Sequence, residues 1–262
     1  MLKAKELRWF DCNCMFGPAG QGSLFCFENP QQLETSLEEQ GIGEALLFSS
    51  LAKLNDPQLG NSLLLEAVAG RAGLHPCLTL TPEMELEEGF PERLLAPLKS
   101  GAARACRVFP KAGSYELEPW IMPQTFSALN RARIPLLVDQ DTVHWDDPFD
   151  WDQVHRLCLE YRDLPVIVVR QGMLAARNLF PLLKRHENLY LETSYFQLAG
   201  GLEEAAKRFG AVKLVFGTGM SVFDPHLPIA GLLYSPLSDR EKEMVAGENI
   251  RALLAAAQGE SL

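Results

Sequence analysis

The chain has 262 residues, 47% of them hydrophobic and 22% charged, a balance that supports a continuous apolar core and excludes intrinsic disorder. Its 34 acidic residues outnumber 24 basic ones for a formal charge of −10, so it is not expected to neutralise the phosphates of a nucleic acid. No apolar run is long enough for a membrane span, and the opening MLKAKELR lacks the apolar region of a secretory signal; the expected location is cytoplasmic and no membrane partner is expected.

Strand-like and helix-like segments alternate along the sequence. A β-rich run at 9–16 is followed by a helical pattern at 31–40, a second run at 44–50 by a pattern at 61–72, and a third run lies at 75–80. The fourth run, 105–110, leads to a helical pattern at 125–132, the fifth, 134–140, to one at 152–161, and a sixth spans 164–171. A seventh at 188–194, a helical pattern at 202–209 and an eighth run at 213–219 complete the series. Strand followed by helix means a parallel sheet, and the unbroken apolarity of IPLLV and LPVIVV fits strands covered on both faces. Eight such units in a chain of about 250 residues predict a closed (β/α)8 TIM barrel, as one domain over 1–262. Ser238 followed by Glu241 reads as a capping box that opens a last helix through Leu254.

The longest irregular stretches, 17–30, 110–123, 141–151 and 220–236, follow the first, fourth, fifth and eighth runs. In such barrels the loops after the strands build the site. The six cysteines are spread along the chain, and Cys12, Cys14 and Cys26 lack the second ligand pair of a zinc site, so reduced thiols are expected. The glycines at 17–22 lack the Lys-Ser/Thr of a phosphate loop and read as a turn.

Several phrases taken together carry a family signal: DCNCMFG at 11–17, RVFP at 107–110, IPLLVD at 134–139, VIVVRQG at 166–172, LVFGTG at 214–219 and GENIRALL at 247–254. The set resembles the amidohydrolase-related family of metal-dependent hydrolases. The resemblance implies an amidohydrolase-like TIM barrel with a His-x-His on the first strand, a histidine on each of the fifth and sixth, and an aspartate ending the eighth. The corresponding residues here are Asp11 and Asn13, then Asp139, Arg170 and Gly219. A guanidinium has no lone pair to give a cation and repels it. The chain is therefore expected to hold no catalytic metal and no other cofactor; the alternative is a hard ion such as magnesium on the oxygens of Asp11, Asn13 and Asp139.

With arginine in place of a metal ligand, the mouth becomes a receptor for a small-molecule anion or carboxylate, with Arg170, Arg107 and Lys111 supplying positive charge and Asn13 polarising a carbonyl. Arg170 is equally explained as a structural partner of Asp139 or Glu192. Asp11, Asp139 and Glu192, beside Ser194, are the candidate catalytic carboxylates. Asp11 and Asn13 alternate with Cys12 and Cys14, so one pair is expected to face the barrel interior. His144 and His226, in loops after the fifth and eighth strands, are candidate substrate-binding groups, whereas His75, His155 and His186 belong elsewhere. Trp120, Trp145, Phe149 and Trp151 flank the fourth and fifth loops and either line a pocket or pack loop on helix. Three functions remain open at this point. They are a metal-independent hydrolase or lactonase of a small carboxylate-bearing substrate, a noncatalytic binding descendant, and a metal-dependent hydrolase with an oxygen-rich site.

Overall fold

The computed structural model describes residues 4–17, 27–141 and 149–257. Its strands are β1 (Trp9–Phe16), β2 (Ile42–Ser49), β3 (Leu74–Leu80), β4 (Ala105–Val108), β5 (Leu136–Val138), β6 (Val166–Val168), β7 (Leu189–Glu192) and β8 (Leu214–Val215). They form one sheet in sequence order with every pairing parallel. Beyond β8 the chain runs beside β1, where Cys12 N–H donates to Phe216 O at 3.0 Å and Met15 N–H to Met220 O at 2.7 Å. The sheet thereby closes into the expected barrel.

The first four helices are α1 (Pro30–Glu39), α2 (Ser50–Leu54), α3 (Pro57–Ala67) and α4 (Glu92–Lys99). They are followed by α5 (Pro110–Gly113), α6 (Pro123–Ala132), α7 (Trp151–Glu160) and α8 (Ala176–Arg185). The last four are α9 (Gly201–Phe209), α10 (His226–Leu233), α11 (Asp239–Glu243) and α12 (Asn249–Ala256). Residues 244–248 join α11 to α12 as a π turn. Five helical patterns read from the sequence correspond to α1, α3, α6, α7 and α9. The pattern at 61–72 starts too late, because Asp56 caps α3 by accepting from Leu59 N–H at 2.9 Å, with Pro57 in the first turn. α4 and α8 carry Pro97 and Pro181 inside them, where proline ordinarily breaks a helix. α10 occupies part of the 220–236 stretch that reads as irregular. The capping box at Ser238 is present, with Ser238 N–H donating to Glu241 Oε2 at 2.8 Å.

The two faces of each strand meet different neighbours, as the apolar runs require. Phe10, Cys12, Leu137, Ile167, Val169 and Val215 fill the barrel interior, whereas Leu136, Val138, Val166, Val168 and Leu191 pack outward beneath the helices. Asn249 pins the last helix to the barrel, its Nδ2 donating to Ala211 O at 2.8 Å and Leu214 O at 2.7 Å. At the lower rim Glu44 Oε1 accepts from Arg251 Nε at 2.8 Å and Glu44 Oε2 lies 3.2 Å from His75 Nε2. His75 is thus part of the plug opposite the mouth.

α2 and α3 cross at their closest point through Gly60, where a Cβ would stand 2.2 Å from Ala52 N and 2.5 Å from its Cα. Backbone cannot yield there as a flexible side chain would. Alanine ordinarily gains roughly 1 kcal/mol over glycine in a helix, but Gly60→Ala is expected to destabilise the protein by about 1–3 kcal/mol through overpacking. Urea unfolding of the two proteins measures the sign.

Candidate functional site at the barrel mouth

Arg107 faces inward from β4, as Ala105 does, and is paired in register with Thr79 of β3. Its Nη1 donates to Asn13 Oδ1 at 2.8 Å and its Nη2 to Asp139 Oδ2 at 2.5 Å. The guanidinium carbon lies 4.2 Å from the ring centre of Phe48 and 5.1 Å from that of Phe109, within cation–π range. Arg170 reaches the other oxygen of the same carboxylate, Nε and Nη2 donating to Asp139 Oδ1 at 3.2 and 2.7 Å. Its Nη2 also donates to Asp141 Oδ1, which accepts from Lys53 Nζ at 2.7 Å. Burial alone would push the Asp139 carboxyl up, but Arg170 and Arg107 outweigh it and hold the group well below the usual carboxylate range.

β1 carries a register shift between Asp11 and Cys14, three residues being set against two of β2. This bulge overturns the expected alternation: Cys12 faces the interior, Cys14 packs outward, and Asp11 and Asn13 serve different neighbourhoods. Asn13 joins the mouth through Arg107 and by donating from Nδ2 to Glu192 Oε2 at 3.2 Å. Asp11 Oδ1 accepts from Asn13 N–H at 2.9 Å and Thr218 N–H at 3.0 Å, and Oδ2 accepts from the Thr218 hydroxyl. These bonds lie in the seam between β1 and the chain after β8, where the carboxylate ties strand ends together. Burial raises the Asp11 carboxyl, with Thr218 and Cys14 opposing.

Glu192 ends β7 fully buried, and among the described residues no side-chain cation is bonded to it. Oε2 accepts from Arg170 N–H at 3.0 Å and Ser194 Oγ at 2.8 Å, and Oε1 accepts from Ser194 N–H at 2.5 Å. Burial pushes this carboxyl up to about 7, against the pull of the Arg170 and Ser194 donors. Gly217 makes the room, since a Cβ there would stand 2.3 Å from Glu192 Oε1. At Gly219, with φ +71°, a Cβ would meet the Phe223 ring at 2.5 Å. A side chain at this position is therefore opposed by both backbone and neighbour.

Of the remaining candidates, Lys111 stands on α5 and lines a rim cavity of about 770 Å³ with Phe149, Trp151 and Gln140. Trp120 is exposed, away from that cavity. His226 opens α10 on the surface with its Nδ1 2.7 Å from Asp224 Oδ1, and it does not join the cluster at Asp139. His144, Trp145 and Cys26 lie outside the described residues, as does most of the glycine segment. His155 Nδ1 and His186 Nε2 meet at 2.7 Å, an interaction between α7 and the chain after α8. Three members of the mouth were missed from the sequence: Lys53, Asp141 and Gly217. Asp141 sits two residues beyond Asp139, but nothing in the pattern aims Lys53 at it from another unit.

The residues present do not fit a divalent cation. Both oxygens of Asp139 already accept guanidinium N–H groups, two arginines flank the position, and the described residues contain no group of three or more His, Cys, Asp or Glu side chains placed to hold a metal.

Fold and mouth together define an α/β barrel whose polar groups gather at the carboxyl ends of its strands. The amidohydrolase family model matches residues 58–255, and the chain belongs to that family. No curated protein matches it. Among solved structures it is similar to an uncharacterized TIM-barrel protein from Bordetella bronchiseptica, with 16% identity, 95% of this chain and 99% of that one covered, and a TM-score of 0.72. Similarity extends to a 2,6-dihydroxybenzoate decarboxylase from Rhizobium, at 13% identity, coverage of 95% and 99% and a TM-score of 0.70. A 5-carboxyvanillate decarboxylase from Novosphingobium aromaticivorans with bound manganese gives 11%, 96% and 98%, and 0.73. At these identities the likeness is one of fold.

Glu192 sets a pH dependence whose sign is fixed. Its folded carboxyl binds the proton more tightly than the ordinary 4.5, so its contribution to stability is complete below about 4.5 and is lost as pH rises to about 7. Between pH 4.5 and 8 the wild type is expected to lose roughly 3 kcal/mol relative to Glu192→Gln. Denaturant unfolding of both proteins across that range checks it, and parallel pH profiles would contradict the assignment.

Proposed function

We propose that the barrel mouth is a metal-free site for a small carboxylate-bearing compound, in which guanidinium groups provide the positive charge that a cation supplies elsewhere in the family. The convergence of Arg107 and Arg170 on Asp139, at the strand ends, carries this reading. Charge-assisted bonds from a planar guanidinium suit a carboxylate, and a low-dielectric surround strengthens them. That structural neighbours include decarboxylases of 2,6-dihydroxybenzoate and 5-carboxyvanillate, the former solved with 2,6-dihydroxybenzoate bound, agrees with a carboxylate ligand.

The reaction assigned to the site is hydrolysis of an ester or lactone. Glu192, poised near neutrality, takes a proton from the attacking water and returns it to the leaving oxygen. Asn13, bonded to both Arg107 and Glu192, positions the carboxyl and polarises the carbonyl. Asp139 stays ionised and, by accepting from both guanidiniums, holds them at fixed positions. Asp11, with its oxygens engaged by Asn13 and Thr218, serves as a positioning residue of the β1–β8 seam.

A second reading, a noncatalytic binding protein, draws support from the mutual pairing of the mouth. The rim cavities of about 770 and 470 Å³ touch the network only at its edge, through Gln140 and Ser194. Metal analysis and substrate profiling separate the alternatives. The purified protein is expected to lack stoichiometric divalent metal and to hydrolyse a member of a panel of carboxylate-bearing lactones and esters. Arg170→Met is expected to lose ligand binding, whereas Glu192→Gln keeps binding and loses turnover by roughly 100-fold or more. Binding without turnover across the panel favours the second reading, and stoichiometric metal removed by Asp11→Ala overturns both.

A further inference from the structure

We propose that Lys53 and Arg170 form the receptor for the ligand's carboxylate, and that the side chain of Asp141 occupies it until a ligand displaces it. The inference rests on the carboxylate reading of the mouth and deepens it. Three features of Asp141 carry it. Lys53 Nζ and Arg170 Nη2 both donate to the same oxygen, Oδ1. Two cations at one oxygen make poor use of a carboxylate, whereas a free carboxylate can offer one oxygen to each. Second, Asp141 is held at φ +52°, a left-handed conformation that costs a non-glycine residue energy, and the Arg170 backbone shares it at φ +56°. The internal carboxylate thus sits on a left-handed backbone whose N–H donates to Asp139 Oδ1 at 2.8 Å. Third, Asp141 is more accessible than Asp139, its side chain 24% exposed against 1%, so exchange there leaves the Asp139 clamp intact.

The cations, by contrast, are fixed in advance. Arg170 is tied to Asp139 by Nε and Nη2, and Lys53 projects from α2 with Nζ 5.3 Å from the Phe109 ring centre and only 11% of its side chain exposed. Ordering them costs a ligand little. Loss of the internal acid would remove the oxygen that Lys53 Nζ and Arg170 Nη2 share while Asp139 still holds Arg170 in place, which is the condition for capture of an external carboxylate.

Titration with sodium acetate tests the displacement, with binding read from the Arg170 Nε–H signal in proton–nitrogen NMR spectra. Wild type, Asp141→Asn, Asp141→Gly and the double variant Asp141→Asn/Lys53→Met are compared, with sodium chloride titrated in parallel. Glycine suits the positive φ, so Asp141→Gly keeps the test intact if the asparagine variant folds poorly. Both single variants are expected to bind acetate roughly ten-fold or more tightly than wild type, the size of one charge-assisted bond. Adding Lys53→Met is expected to cancel the gain. Saturable wild-type binding with no gain in either variant overturns the displacement while leaving the mouth a carboxylate site. Absence of saturable binding in every protein overturns both, and an equal response to chloride overturns the carboxylate receptor.

Discussion

Asp139 is a carboxylate held between two guanidiniums, and the arrangement of the mouth follows from the cost of burying those three charges. None of them is tolerable alone in this setting, because an unpaired buried ion costs several kcal/mol. Together they close a ring of hydrogen bonds: Asp139 to Arg107, Arg107 to Asn13, Asn13 to Glu192, Glu192 to the Arg170 N–H, and the Arg170 side chain back to Asp139. The ring draws on β1, β4, β5, β6 and β7 or the residues just beyond them. Strand order and register place its members within reach of one another, and the ring in turn fixes which polar groups face inward at the carboxyl ends of those strands.

Two carboxylates in this ring take opposite characters from their surroundings. Asp139 lies against Arg170 and Arg107 and stays ionised far into acid. Glu192 meets neutral donors and is raised by burial toward neutrality. Environments that separate two acids in this way divide the roles of fixed charge and proton carrier between them. The mouth also has a gradient of exposure, closed at Asp139 and more open at Asp141, so exchange with solvent is concentrated at one side of the ring.

The sequence discloses much of the frame because local chemistry writes it. Continuous apolar runs mark β5 and β6, proline and aspartate open α3, and the Ser238–Glu241 pair announces α11. It discloses less where local signals conflict with packing. Pro97 and Pro181 interrupt the helical signal inside α4 and α8, and strict alternation, which keeps Asp11 and Asn13 on one face, fails because a bulge is a property of the β1–β2 pairing rather than of either strand. The candidate residues divide along the same line. Asn13, Arg107, Asp139, Arg170 and Glu192 converge, from within β1, β4 and β7 and from the residues just after β5 and β6. His226 does not, because its segment folds into a surface helix and satisfies itself on Asp224.

By itself the sequence determined the eight β/α units, the rim on which polar residues collect and the presence of Arg107 and Arg170 among them, all of which depend on residue type and spacing along the chain. Tertiary structure decided how those charges are spent. Whether Arg170 pairs with Asp139 or Glu192, whether Asp11 faces the mouth, and which lysine reaches Asp141 depend on distances between strands and loops far apart in sequence. Electrostatic energy varies with those distances and with burial, and neither is written in a linear pattern.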